Sequence, residues 1–299
     1  MDLSERFRGC LLGLAAGDAV GTTVEFKPRG TFAAVTDMTG GGPFRLAPGQ
    51  WTDDTSMALC LASSLVELRR SDARDQMIRY CRWQSDGYMS STGACFDIGT
   101  TTARALARFR DTGDPFAGFT DPESAGNGCI MRLAPVAMFF FPDEAEAIEH
   151  ASASSRTTHG ADECVEASGL FASILVRALG GQPKMDVLTG SRSIRPRSKS
   201  IAAIAGAAYL SKSEEQIRGS GYVVACLEAA LWAFARSENF HDAILLAANL
   251  GDDADTTAAV CGQVAGAYYG ESGLPTSWLD RLAMRDEIGR LADALRTHR

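Results

Sequence analysis

Histidine is scarce: the chain has four, and its eight cysteines, at 10, 60, 81, 95, 129, 164, 226 and 261, include no CxxC pair. Zinc ribbons and zinc fingers are thereby excluded. Cysteines this scattered through 299 residues do not make a disulfide framework, so reduced thiols and a cytoplasmic location are expected. Positive charge is also in deficit. Lys and Arg number 29 against 37 Asp and Glu, a net charge of −8, and the pI is about 5.1. Neither a nucleic acid nor an anionic membrane surface is an expected partner. No apolar run approaches the roughly 18 residues that a membrane span requires. Asp2 and Glu5 stand where a secretion signal would be basic, and Asp18 breaks the apolar run from Cys10, so no leader peptide is expected. A P-loop and a dinucleotide fingerprint are both missing. So are Val-, Ile- and Thr-rich runs with a period of two.

What is present is helical pattern. Hydrophobic residues make up 45% of the chain, enough to fill a large core. Phe7, Cys10, Leu11 and Leu14 recur at helical spacing, and the next member of that stripe is Asp18. A carboxylate ending a buried stripe is either satisfied internally or part of a site. The segment 27–50 is instead broken by Pro28, Gly30, Gly40-Gly41-Gly42-Pro43 and Pro48-Gly49, a long loop of the kind that serves as a lid. Helical pattern resumes from Thr52, a suitable N-cap, to about Arg70, with Asp53, Met57, Leu61, Leu65 and Leu68 on one face. Further helices are expected near 97–110, from Ala161 to Leu179, near 221–236 and near 240–249. Another runs from Asp252 to about Tyr269. Ile130 to Phe141 is an apolar run interrupted by Pro135, and 111–128 is a loop. The basic stretch 181–200, with Lys184, Arg192, Arg195, Arg197 and Lys199, reads as a solvated surface turn. Ala258, Ala259, Gly262, Ala265 and Gly266 would let another helix approach closely. No repeat or interdomain linker is evident, so residues 1–299 are expected to form one all-α domain, with a monomer as the expected state.

Two acidic clusters carry the chemistry. Thr52-Asp53-Asp54 and Asp253-Ala254-Asp255-Thr256 each place carboxylates and a hydroxyl at a helix start. Capping and the helix dipole account for one such residue. Two or three adjacent carboxylates repel each other unless a cation neutralises them. If the clusters converge, they form an oxygen cage suited to Mg²⁺ or Mn²⁺, and the number of carboxylates suits two ions. An EF-hand starting at Asp253 fails because Ala258 and Val264 occupy its glycine and glutamate positions. A DDxxD motif fails at Met57. His241-Asp242 invites a metal-dependent phosphohydrolase reading, but only His150, His159 and His298 remain as further ligands. Gly126-Asn127-Gly128-Cys129 is a glycine-flanked turn whose backbone can approach a phosphate, and taken alone it is simply a turn. His159 and Asp97 likewise read as caps when taken singly, and Cys129 as an inert small residue.

Taken in order, Gly17-Asp18-Ala19-Val20-Gly21 with Glu25, Trp51-Thr52-Asp53-Asp54-Thr55, Gly126-Asn127-Gly128, Thr158-His159 and Gly251-Asp252-Asp253-Ala254-Asp255-Thr256 resemble the ADP-ribosylglycohydrolase family. The likeness is closest to bacterial members of the dinitrogenase reductase-activating type, and it spans roughly residues 5–270. It implies a compact orthogonal multi-helix bundle around a central binuclear cleft holding two divalent cations, Mn²⁺ or Mg²⁺. It assigns Thr52, Asp53, Asp54, Asp253, Asp255 and Thr256 as metal ligands and puts Glu25 beside the metals. Asn127, Gly128, Cys129 and His159 would bind ADP-ribose, with Tyr222 a weaker member of that group. Asp97 would sit near the arginine end of the substrate. Cys129 departs from the small residues usual at its position.

The reaction so implied is hydrolysis of the N-glycosidic bond of ADP-ribosyl-arginine on a protein, through oxocarbenium-like character at the anomeric carbon. The general base would be Asp53, Asp54 or Glu25, and Asp97 would pair with the guanidinium leaving group. Two other functions compete. One is cleavage of O-linked ADP-ribose on serine or threonine, or of a small ADP-ribosyl metabolite. The other is a non-catalytic protein that binds ADP-ribose or a partner, which would have no need of six aligned ligands.

Overall fold

The computed structural model describes residues 1–190 and 194–297. Among them lie fourteen α-helices and no β-strand, only isolated bridges, so the all-α expectation holds. In chain order the helices are α1 (Leu3–Gly21), α2 (Asp53–Leu68), α3 (Ala73–Asp86), α4 (Thr100–Thr112), α5 (Ala134–Phe140), α6 (Glu144–Thr158) and α7 (Asp162–Leu179). They continue as α8 (Lys184–Thr189), α9 (Lys199–Ala205), α10 (Val223–Ala235), α11 (Phe240–Ala248), α12 (Ala254–Tyr269), α13 (Thr276–Arg281) and α14 (Arg285–Thr297). No helix among the described residues is long and apolar enough to cross a membrane.

Two helices form the axis. From Gly9 onward every residue of α1 is buried, and so is nearly all of α12. Burial on all sides marks a helix at the centre of a core rather than on its surface. They run antiparallel and touch backbone to backbone. Gly9, Gly13, Gly17 and Gly21, one per turn, face Gly266, Gly262, Ala258 and Ala254. A Cβ at Gly13 would lie 2.4 Å from the Gly262 carbonyl oxygen, and one at Gly262 would lie 2.0 Å from that of Gly13. The small stripe expected on α12 therefore has a reciprocal stripe on α1 that makes the approach possible. α11, α14 and α2 pack against α1, while α10 and α7 cover α12.

The expected helices appear within a few residues of their sequence limits, and Pro135 sits in the first turn of α5, where its missing N–H costs nothing. The stretch 181–200 is corrected. Lys184 to Thr189 is helical and α9 begins at Lys199. Lys184 is not a solvated charge: its ammonium lies 4.5 Å over the Phe234 ring, 3.1 Å from the Tyr269 hydroxyl and against the Ser237 carbonyl. Arg192 and His298 lie outside the described residues. The loop 27–50 is pinned rather than loose. Phe26 and Lys27 exchange backbone hydrogen bonds with Asp252, both 2.8 Å. Arg29 donates to the carbonyls of Leu250, Glu214 and Ile217, and Asp37 accepts from Trp278 and Arg281.

Candidate metal and substrate cleft

The axis brings the two acidic helix starts together. Thr52 occupies the N-cap position of α2, but its side chain makes no capping bond. The cap comes from α1: Asp18 Oδ1 accepts from the Thr52 amide at 2.9 Å, and Oδ2 accepts from the Thr55 amide at 3.1 Å and its hydroxyl at 2.6 Å. The same arrangement recurs at α12. Asp253 makes no capping bond there, and Glu25 Oε2 accepts from the amides of Ala254 and Asp255 at 2.8 and 3.1 Å. Both helix N-termini are thus satisfied by carboxylates from α1 and the residues just after it. The local carboxylates, which the sequence offers as caps, are largely released to face the space between the helices; Asp255 alone keeps one oxygen on an amide of its own helix, that of Thr256 at 2.6 Å.

That space is acidic and tight. Thr256 Oγ1 lies 3.3 Å from Asp54 Oδ2, and Thr52 Oγ1 lies 3.4 Å from both Asp54 Oδ2 and Asp255 Oδ2. The Thr52 hydroxyl is 2.9 Å from Asp18 Oδ1 and donates to it, which turns its lone pairs toward the cluster. One oxygen each from Glu25, Asp253 and Asp255 fall within 4.8 Å of one another. The tightest acidic triad therefore includes Glu25, which the resemblance places only beside the metals. Burial, followed by the charge of Asp253, pushes Glu25 up to about 8, and burial pushes Asp97 up to about 7. Asp53, Asp54 and Asp255 are driven well above the usual carboxylate range by burial and then by the charges of the carboxylates around them, Asp54 for Asp53, Asp18 for Asp54 and Glu25 for Asp255. Asp54 Oδ1 is buried without a hydrogen-bond partner. Crowded buried carboxylates and an orphaned oxygen fit a cation, and an all-oxygen donor set fits a hard divalent ion.

The cluster forms one end of a cleft of about 360 Å³. Glu25, Asp53, Asp97, Asp253, Asp255 and Thr256 line it; Thr52 and Asp54 are fully buried beneath. Asp97 reaches the cleft from a left-handed backbone, φ 59°, a conformation that aspartate tolerates better than most residues. The opposite wall is the Gly126–Gly128 turn and His159. Asn127 ties the two ends together, since its Nδ2 donates to Asp253 Oδ2 at 2.8 Å. The His159 ring lies directly on the glycines. A Cβ at Gly128 would meet its Cε1 at 2.6 Å, and one at Gly126 would meet Nε2 at 3.2 Å.

Two assigned residues do not reach the cleft. The Cys129 side chain is buried beside the carbonyls of Gly126 and Cys164, at 3.8 and 3.7 Å, so only its backbone belongs to the turn. Tyr222 is exposed outside the lining, its hydroxyl donating to Glu163. Sequence reasoning missed Phe26, which lines the cleft mouth at 65% exposure with φ 62°. Phe26, Phe44 and Phe96 follow in an aromatic row with centroids 6.2 and 5.3 Å apart. Arg132, fully buried behind the Gly128 turn, was missed as well; its signal was a lone charge in an apolar run.

Comparison with known proteins agrees with this geometry. The sequence profile described as ADP-ribosylglycohydrolase matches residues 1–299. The chain is 50% identical over 292 residues to the ADP-ribosylarginine hydrolase Tri1 of Pseudomonas putida, covering 97% of this chain and 78% of that one. It is 32% identical over 297 residues to the ADP-ribosyl-[dinitrogen reductase] glycohydrolase of Rhodospirillum rubrum, covering 97% and 95%. A solved structure titled ADP-ribosylglycohydrolase-related protein complex superimposes with a TM-score of 0.86 at 45% identity, covering 98% of each chain.

Proposed function

Because this chain belongs to the ADP-ribosylglycohydrolase family, we propose that it removes ADP-ribose from arginine side chains of proteins by hydrolysing the N-glycosidic bond. The observation that carries this reading is the meeting of Thr52-Asp53-Asp54 with Asp253–Thr256 across 3.3–3.4 Å, beside a cleft with Asp97 in its wall. Arginine as the acceptor is supported by the names of two relatives at 50% and 45% identity, both ADP-ribosylarginine hydrolases.

In this proposal Thr52, Asp53, Asp54, Asp253, Asp255 and Thr256 hold two divalent cations, Mg²⁺ or Mn²⁺, with Glu25 beside them. When bound, the cations supply positive charge that acidifies a water and holds the ribose hydroxyls. The protein's own groups do the rest. Glu25 has one oxygen committed to α12 and the other available, and Asp53 faces the cleft, so these two are better placed as general base than the sunken Asp54. Asp97 pairs with the guanidinium and steadies it as it departs. The Gly126–Gly128 turn, Asn127 and His159 receive the pyrophosphate end. Residues 1–299 act as one catalytic domain in this reading. The eight unpaired cysteines are consistent with a reducing cytoplasmic setting.

The test is release of ADP-ribose from arginine-linked and serine-linked substrates by the Mn²⁺-loaded enzyme and by Asp97→Ala. Release from the arginine substrate is expected, with a loss of at least tenfold in Asp97→Ala and a smaller effect on any serine-linked turnover. Equal losses on both substrates would remove Asp97 from the leaving-group role. Turnover of the serine-linked substrate alone would overturn the arginine assignment.

A further inference from the structure

Arg132 has 0% of its surface exposed, and among the described residues no carboxylate lies within 4 Å of its guanidinium. A buried charge without a counter-ion is costly, so its hydrogen bonds show what it is kept for. Nη1 donates to the Gly128 carbonyl at 2.7 Å, and Nη2 donates to Thr158 Oγ1 at 2.7 Å. Longer contacts reach Ser154 O at 3.5 Å and Thr157 Oγ1 at 3.4 Å, and the guanidinium carbon lies 4.9 Å over the Tyr80 ring.

The proton assignment follows from donor counting. A guanidinium only donates, and a hydroxyl has one proton. Thr158 Oγ1 accepts from Arg132, so its own proton is left for the other polar neighbour, His159 Nδ1, at 2.8 Å. Nδ1 is then an acceptor, and the ring proton sits on Nε2. Nε2 meets no acceptor among the described residues. It lies against Gly126 and Gly128 on the cleft wall.

We infer that Arg132 and Thr158 are positioning residues that fix His159 as the Nε2–H tautomer, a neutral donor aimed at an anionic oxygen of the bound ligand. The identity of that oxygen, a pyrophosphate oxygen of ADP-ribose, rests on the proposed function; the tautomer does not. Burial and the nearby Arg132 charge push His159 down to about 3, so the ring stays uncharged in ordinary buffers. Arg132 also holds the Gly128 carbonyl, so one side chain sets both the turn and the ring that rests on it.

The experiment has two arms on the Mg²⁺-loaded protein. In the first, long-range ¹H–¹⁵N spectra of the wild type report the His159 tautomer, with its peaks assigned by their loss in His159→Gln. A single Nε2–H pattern is expected; an Nδ1–H pattern or a mixture overturns the relay. In the second, ADP-ribose affinity is measured by calorimetry for Thr158→Val and Thr158→Ser. The valine variant is expected to bind at least tenfold more weakly and the serine variant within about twofold of wild type. Affinities alike in all three overturn the inference. A valine variant that does not fold leaves the wild-type spectrum and the serine affinity to decide. A wild type that binds no ADP-ribose refutes the ligand reading, while the spectrum still decides the tautomer.

Discussion

Removing divalent cations and raising the pH should destabilise this protein, and the sign follows from the cleft. Glu25 is pushed up to about 8 and Asp97 to about 7, whereas carboxyls in an unfolded chain titrate near pH 4. Between those values the folded cluster holds protons that the unfolded chain has released, so stability falls as pH rises through the window. Each extra proton held is worth about 1.4 kcal/mol per pH unit. Because the groups interact, the conservative count for the cluster is one proton. Over about three pH units that comes to roughly 4 kcal/mol, a drop in Tm on the order of 10 °C for a chain of this size. The assay is a set of thermal melts in chelator between about pH 5 and pH 8, repeated with excess Mn²⁺. The cation is expected to abolish the slope and raise the Tm most at the alkaline end. Asp54→Asn removes a charge whose Oδ1 has no partner. In chelator at about pH 8 it should melt above the wild type while losing most of the Mn²⁺ shift. A chelated Tm that stays flat or rises with pH refutes the argument that the carboxylates are uncompensated. A full Mn²⁺ shift in Asp54→Asn removes that residue from the ligand set.

Two further outcomes test the scaffold and the far wall. Gly262→Ala places a Cβ 2.0 Å from the Gly13 carbonyl oxygen, and backbone cannot step aside as a side chain does. We expect a loss of about 3 kcal/mol or more, read as a shift in the urea midpoint. A midpoint equal to wild type would mean that α1 and α12 do not touch as described. Gly128→Ala pushes a methyl into the His159 ring, 2.6 Å from Cε1. The expected result is ADP-ribose binding weaker by at least tenfold with the helical fold retained. Affinity within twofold of wild type would show that the ring need not rest on that glycine.

The helices were legible because their apolar spacing is dictated locally, and the two acidic starts stood out because adjacent carboxylates are hard to explain as caps alone. The α1–α12 seam was half legible. The α12 stripe of Gly262, Ala265 and Gly266 was visible, but its meaning depended on Gly9, Gly13, Gly17 and Gly21, some 250 residues away along the chain, and no local pattern pairs the two. The fate of 181–200 was not legible, because Lys184 finds its partners on α10, just after it and on α12 (Phe234, Ser237 and Tyr269). Cys129 and Tyr222 were assigned by position in a motif. Where a side chain points depends on the walls around it, and here Cys164 and Glu163 decide.

The caps explain how the fold turns two acidic helix starts into a site. Read locally, Thr52 and Asp253 are ordinary N-cap residues, and a helix start with its own cap needs nothing more. In the folded chain, Asp18 and Glu25 carry out that task from α1 and the turn after it. Capping in trans does two things at once. It ties α2 and α12 to the same end of α1, which sets the distance between their starts, and it leaves each start with more carboxylate oxygens than its own amides use: Asp255 Oδ1 takes the Thr256 amide at 2.6 Å, while Asp54 Oδ1 has no partner. The α12 start is fixed by a backbone seam with α1 that has no room to spread, and the α2 start by its bonds to Asp18, so the repulsion between their carboxylates has little freedom to relax by movement. Protonation or a cation would relieve it, which makes the glycine seam, far from any reacting atom, part of the reason that the cleft suits a metal ion.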